Sequence, residues 1–353
     1  MTNTPVLRPI LIFRRGSIGD AVVSIPALNE IARRHPDAER WMLTNLPVME
    51  TTAAVADVLQ NSTLITGFIS LPPGGGSLAM VRTGLRRIRA LKPRLLIYLS
   101  EPSRGLARLR ERAFFRLAGI RETIGAPESV DTGVYHKLDS SLWESETDRL
   151  LRAIGADPAA ADWTFDFLPE ERAEARRHLE GWPGYGGYIM FSLGAKLPDK
   201  DWGIHNWRRV LERLSERHPT LGIAAVGARD DSPATRQVLS AWRGPSLDLC
   251  GRTPPRISAL IGENALFYMG HDSGPMHLAA LVGTPCIAVF SARAKPGVWF
   301  PRGTRNRIFY PWHEADRVPA RPGFRSAGTS ITSIDPDAVT QACLELLASS
   351  AAA

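Results

Sequence analysis

Short apolar runs recur along the chain, each followed by a stretch in which apolar residues return at every third or fourth position. ILIF (10–13) comes first, and after it Val22, Ile25, Leu28, Ile31 and Ala32 fall at helical spacing in a helix expected from about Ala21. WMLTN, LITGFISL and RLLIYLS repeat the motif as strands, each with a helical stretch behind it. The run LPPGGGS (71–77) is a loop by composition. A helix around ESETDRLLRAI (144–154) leads into a turn-rich region, where GWPGYGG (181–187) is the clearest linker signal. A second series then starts. Strands are expected in YIMFSLG, GIAAVGA, SLDLCG and ALFYMGHD, with helices in NWRRVLERLSERH, SPATRQVLSAW, around ISALIG and in PMHLAALVG. PCIAVFSA closes the set, and DPDAVTQACLELLASS reads as a last amphipathic helix.

Strand and helix alternating at these lengths predict parallel sheets with crossover helices, an α/β fold. With 353 residues the chain has room for two such domains. The expected division is a first domain over 1–170, a second over 185–335, and a tail at 336–353 that packs on either domain. Tandem doubly wound domains bind ligands at the carboxyl ends of their strands, here between the two domains.

Charge and cysteine content narrow the picture. Of a net charge of +7, a local excess of ten lies between Arg82 and Arg121, where twelve Lys/Arg face only Glu101 and Glu111. The rest of the chain is slightly acidic, so the partner implied is localised and anionic. Interleaved aromatics suited to base stacking are missing from that sector, which argues against nucleic acid. Cys250, Cys286 and Cys343 are odd in number and far apart, which excludes a disulfide framework and fits a reducing cytoplasm. No apolar run approaches the ~18 residues of a spanning helix, and the N-terminal MTNTPVLRPILIFRRG has too short an apolar core for a secretory signal.

Three strand-to-helix corners carry the candidate chemistry. In GHDSGPMH, Ser273 suits an N-cap, Gly274 allows close approach and Pro275 suits a first helical turn. The bare amides of such a turn form an anion site fit for a diphosphate, flanked here by Asp272 and by Met276 and His277. A merely well-capped crossover helix explains Ser, Gly and Pro but not the acid and the histidine. In SLGAKLPDKDWGIHNW, Lys200 is the first candidate to meet a leaving phosphate and Lys196 the second, with Trp202 and Trp207 expected as core anchors. In VGARDDSP, Asp231 either accepts from ribose hydroxyls or caps the next helix. Ahead of all these, RRGSIGD places Asp20 at the corner after ILIF, either as a helix cap or as a proton acceptor for an attacking hydroxyl.

Together these residues resemble the ADP-heptose:lipopolysaccharide heptosyltransferases, glycosyltransferases of the GT-B architecture. The resemblance covers most of the chain and rests on Ser17-Ile-Gly-Asp20 with Pro26-Ala-Leu28, on Pro198-Asp-Lys200-Asp-Trp202 with Trp207, and on Asp272-Ser-Gly-Pro-Met-His277. It implies two facing Rossmann-like domains, the acceptor on the first and the nucleotide sugar on the second. By the same resemblance Asp20 matches the catalytic base, Lys200 the phosphate lysine, residues 272–277 the diphosphate loop, and Asp231 the ribose acid. The sequence departs from the family pattern at Gly203, where the family usually has proline, and at Ala195 and Lys196, where some lipopolysaccharide enzymes carry hydroxyl residues.

The implied reaction is inverting sugar transfer from an ADP-heptose-like donor to an anionic glycan or glycolipid, with no cofactor and no obligatory metal. DKD (199–201) has the letters of an Asp-x-Asp metal site, but its lysine is better placed for phosphate. Arg104, Arg108, Arg112 and Arg116 recur every four residues, so a helix aligns them on one face. Acceptor phosphates, or an anionic membrane surface at the inner face of the cytoplasmic membrane, would relieve their repulsion. The rival readings are a non-hydrolysing nucleotide-sugar epimerase and a non-catalytic nucleotide-sugar binder. A dinucleotide oxidoreductase is disfavoured because no GxGxxG opens the first βα unit.

Overall fold

Strands buried on both faces need continuous apolar runs, and those runs form the middle of each sheet in the computed structural model. The structure describes residues 9–45, 53–71, 78–101, 105–125, 133–195, 197–311 and 330–351. It divides into two compact units, Met1–Phe167 and Leu168–Ala353.

In the first unit, β1 (Ile10–Phe13), β2 (Arg40–Asn45), β3 (Gly67–Leu71), β4 (Leu95–Tyr98) and β5 (Glu122–Ile124) are all parallel, in the order β3-β2-β1-β4-β5. The connecting helices are α1 (Ile18–Val23), α2 (Ile25–Arg34), α3 (Val55–Leu59), α4 (Leu78–Leu91) and α5 (Gly105–Leu117), and α6 (Glu146–Ala153) follows β5. Chain order reverses between β1 and β4, so the loop after β1 opens at the switch point of the sheet. The single helix expected from Ala21 is two: α1 starts earlier, at Ile18, and ends at Val23. Pro26 has no N–H to give the Val22 carbonyl, which instead accepts from Ser24. LPPGGGS lies almost wholly outside the described residues.

The second unit begins with α7 (Pro169–Leu179) and continues with β6 (Tyr188–Ser192), α8 (Ile204–Arg217), β7 (Gly222–Ala225), α9 (Ser232–Leu239), β8 (Ser246–Asp248), α10 (Pro255–Glu263) and β9 (Tyr268–His271). It ends with α11 (Gly274–Leu281), β10 (Cys286–Val289), β11 (Arg307–Phe309) and α12 (Pro336–Ala351). Six parallel strands run in the order β11-β10-β9-β6-β7-β8, with the switch point between β9 and β6. PCIAVFSA does not close the set, because β11 adds an edge strand beyond it.

GWPGYGG is not a linker between the units. Trp182 packs edge-on against Tyr188 with centroids 5.6 Å apart, which ties the segment to β6. α7, expected as turn-rich chain, belongs to the second unit through the Glu171–Arg256 ion pair (2.6 Å) to α10. The last helix also belongs there: Val339, Cys343, Leu346 and Leu347 of α12 share a core with Trp202, Trp207 and Leu214. All three cysteines are buried and unpaired.

Candidate active site

In the second unit, three loops leave the carboxyl ends of the neighbouring strands β9, β6 and β7, where the sheet switches direction. After β9, Ser273 takes the extended N-cap conformation (φ −148°, ψ 172°) and Gly274-Pro275 opens α11. The first-turn amides and the positive end of the helix dipole thus point out of the sheet edge. After β6, a short 3-10 turn over Pro198–Lys200 carries Lys200, whose ammonium lies 2.6 Å from Oδ2 of Asp272. The two motifs, 72 residues apart, are one charge pair, with Asp272 largely buried and Lys200 about one quarter exposed. His277 brings Nε2 to 3.9 Å from the other Asp272 oxygen and packs edge-on against Trp299, centroids 6.0 Å apart.

After β7, Asp231 accepts the Ala228 N–H at 2.8 Å, closing a 3-10 turn ahead of α9. Its carboxylate lies over the β6 loop: a Cβ added at Gly194 would stand 2.5 Å from Asp231 Oδ2. Burial pushes the Asp231 carboxyl above the usual range, with the Asp230 charge adding to this and the Ala228 N–H opposing it. The acid therefore caps its turn and touches the loop that carries Lys200, so the two readings of it are compatible.

The Lys200 loop is held in place by a histidine outside the predicted site residues. His271, the last residue of β9, is fully buried. Its Nε2 accepts from Trp202 N–H (3.0 Å) and from the Trp207 indole N–H (3.1 Å). With Nε2 accepting twice, the ring proton sits on Nδ1 and is donated to the Leu193 carbonyl at 2.9 Å. One neutral imidazole thus clamps the end of β6, the Lys200 loop and α8. Burial pulls its pKa down to about 4. Trp202 and Trp207 are fully buried core anchors, stacked edge to face at 4.7 Å. Gly203 follows at φ +95°, in the left-handed region that proline cannot enter, so the loop needs glycine here.

The DKD acids are otherwise engaged. Asp199 pairs with Arg293 (2.9 Å), and Asp201 accepts the Gly203 N–H (2.9 Å). Met276 is fully buried, so its side chain serves the core rather than the loop surface. The segment after β10 also reaches the site: Arg293 meets Asp199 and Trp299 meets His277. Its cluster of aromatics after the last long apolar run was the available signal. Lys196 lies outside the described residues.

In the first unit, Asp20 sits in the first turn of α1, with 27% of its side chain exposed. Oδ2 accepts the Ser17 N–H at 2.9 Å, and Oδ1 lies 3.2 Å from the Arg14 guanidinium. Arg14 is fully buried at the end of β1 and also donates to the Leu99 carbonyl (2.7 Å) and to Glu146 (2.8 Å). Glu146 in turn binds Arg149 (2.7 Å) and accepts from the Tyr135 hydroxyl (2.8 Å). Burial alone would raise the Glu146 carboxyl, but the Arg149 and Arg14 guanidiniums hold it below the usual carboxylate range. Asp20 is therefore both a cap and the exposed end of a buried ionic chain. Arg14 stands in the RRGSIGD corner itself, but nothing in the sequence marks it as the support of Asp20, because Glu146 lies 132 residues away.

Arg108, Arg112 and Arg116 lie on α5 and are all exposed; Arg104 is outside the described residues.

Residues 145–317 match the profile of glycosyltransferase family 9 (heptosyltransferase). Over 302 residues the chain is 22% identical to lipopolysaccharide heptosyltransferase 3 of Escherichia coli, covering 78% of this chain and 81% of that protein. The glycosyl transferase family 9 structure from Veillonella parvula superposes with a TM-score of 0.72 at 15% identity, over 97% of this chain and 98% of the other. The E. coli ADP-heptose lipopolysaccharide heptosyltransferase II structure gives 0.69 at 16% identity, over 97% and 99%. The doubly wound pair of sheets is thus the GT-B fold expected above. Residues 145–317 thus form a glycosyltransferase family 9 (heptosyltransferase) domain, and the chain is a glycosyltransferase.

Proposed function

We propose that the protein transfers a heptose from ADP-heptose to a hydroxyl of a lipopolysaccharide acceptor, with inversion at the anomeric carbon. The observation that carries this reading is the Lys200–Asp272 pair at the open amino end of α11. A cation beside the open first turn of a helix is what a departing diphosphate needs. The relatives support the sugar and the acceptor class: the E. coli protein is a lipopolysaccharide heptosyltransferase, and the E. coli structure is an ADP-heptose enzyme.

In this reading the second unit holds the donor and the first the acceptor. The diphosphate occupies the turn from Asp272 to His277 and draws the Lys200 ammonium away from Asp272. Asp231 faces the ribose, and Lys196 is the second candidate to meet the phosphates. The acceptor oxygen forms its bond to the anomeric carbon as the bond to the β-phosphate oxygen breaks. Asp20 takes the hydroxyl proton, and the negative charge leaving with ADP is met by Lys200 and the α11 amides. Arg104, Arg108 and Arg112 meet acceptor phosphates.

The test is incubation of the full chain with ADP-heptose and heptose-deficient lipopolysaccharide. The expected result is release of ADP together with an acceptor heavier by one heptose. An isomerised donor without acceptor, or a purified protein that retains a different nucleotide sugar and leaves ADP-heptose intact, overturns it.

A further inference from the structure

α5 has two apolar faces where a surface helix of a globular protein needs one. Phe115 and Ala118 anchor the inner face in the core of the first unit, with Phe13 packed on Phe115 at 5.3 Å. On the opposite side Leu106, Leu109 and Leu117 are 71%, 57% and 58% exposed, and Ala113 is exposed as well. At about 100° per residue these four positions fall in one stripe along the helix. The same periodicity puts Arg110 along one border of the stripe and Arg116 along the other. Four arginines and a single acid, Glu111, occupy this helix, and the acid is turned inward to the Tyr98 hydroxyl at 2.5 Å. At the far end the exposed Arg89 of α4 donates to the Leu117 carbonyl at 2.8 Å and adds its charge to that border.

The surroundings agree. Seven of the ten large apolar side chains exposed among the described residues fall between Leu106 and Leu142, within or just after the basic sector. On α5 the exposed leucines and the bordering Arg110 and Arg116 lie together with no acid between them, an arrangement that does not suit water: the leucines gain nothing there and the two arginines keep their charge unneutralised by the helix. A protein partner that buried the leucines would need its own acids around them. A bilayer with anionic headgroups supplies both environments at once, acyl chains under the stripe and phosphates along its borders. Among the described residues no helix is long and apolar enough to cross a membrane, so the contact is one of lying on the surface.

We infer that α5 is an interfacial helix that seats the first unit on an anionic lipid surface, with Leu106, Leu109 and Leu117 inserted and Arg110 and Arg116 at the headgroups. The inference rests on α5 and not on the sugar transferred. A failed transfer assay therefore leaves it standing, and a failed lipid assay leaves the transferase reading standing.

The experiment is co-sedimentation of the full chain with phosphatidylcholine vesicles, with and without phosphatidylglycerol. The wild-type chain is expected to sediment with the anionic vesicles alone, less so as salt rises. Replacing all three leucines by glutamine should weaken that binding by more than roughly tenfold, since each leucine loses its burial. The pair R110Q and R116Q should weaken it by roughly fivefold per arginine and flatten the salt dependence. These side chains are exposed, and an unchanged far-UV spectrum would confirm that the variants fold. Failure of the wild type to bind phosphatidylglycerol vesicles at low salt overturns the inference. So does a leucine variant that binds them as the wild type does. A chain that ignores vesicles but changes from dimer to monomer when the leucines are replaced overturns it as well, in favour of a second copy as the occupant.

Discussion

The molecule has two corners of the same design, supported in opposite ways. Each lies just after a buried strand at the switch point of a parallel sheet, and each presents an acid paired with a cation. At the first, Asp20 is reached through permanent charges: buried Arg14, then Glu146, then Arg149. At the second, the Lys200 loop is held by a neutral ring, His271, and by the tryptophans around it. An arginine stays charged at any working pH, so the first corner keeps its geometry while its charges remain matched. A histidine keeps both acceptor and donor roles only while neutral, so the second is open to acid. One fold thus holds a carboxylate through a buried ionic chain on one unit and a lysine–aspartate pair through a neutral clamp on the other.

Removing the first acid should have the largest effect. Asp20→Asn keeps an acceptor for the Ser17 N–H but cannot take the proton. Turnover should fall about 10²- to 10⁴-fold with donor affinity nearly unchanged, measured by ADP release and by titration calorimetry. On the proposed reading, in which the lysine meets the diphosphate both before and during transfer, Lys200→Ala should lower turnover about 10²- to 10³-fold and weaken donor binding in the same assays. Equal donor affinity in the two variants would erase the distinction between the corners.

The supports can be tested separately. Glu146→Ala leaves the Arg14 and Arg149 guanidiniums buried without their carboxylate. The first unit should lose about 3–5 kcal/mol, read as a lower urea midpoint. For His271 the sign is set by its depressed pKa, about 4 in the folded chain against a usual 6.5. The unfolded chain takes up the proton first as pH falls, so stability is complete above 6.5 and is lost progressively down to 4. The loss is on the order of 3 kcal/mol, and His271→Gln should remove most of that slope in urea titrations between pH 7 and 5. At the small end, Asp337 pairs with Arg209 and Arg213 in the open. Asp337→Asn should leave the urea midpoint almost unchanged, which sets the scale against which the buried chain is judged.

The apolar runs read as ILIF, RLLIYLS, YIMFSLG and PCIAVFSA are β1, β4, β6 and β10, because strands buried on both faces leave no room for polar residues. Edge strands escape that constraint. Glu122–Ile124 is exposed along its length and Arg307–Phe309 only half-buried, so neither has a run to be read. The second unit starts at Leu168, ahead of the segment expected as a linker, for a related reason. GWPGYGG has loop composition, but Trp182 against Tyr188 makes it part of a core. Among the candidate site residues, the corners at Asp20, Asp231 and Asp272 were legible from their caps and glycines. The resemblance assigns Lys200 and residues 272–277 to one diphosphate, but the pairing of Lys200 with Asp272 and the clamp at His271 were not legible.

Local rules acting over a few residues determined the alternation of strand and helix, the open helix start at Ser273–Pro275 and the acid at the first corner. Folding alone decided which distant residues share a charge or a proton. Lys200 meets Asp272 across 72 positions, Arg14 meets Glu146 across 132, and His271 meets Trp202 across 69. Hydrogen bonds and ion pairs act within about 4 Å in space and carry no trace of distance along the chain, so such partners become visible only when the sheet brings them together.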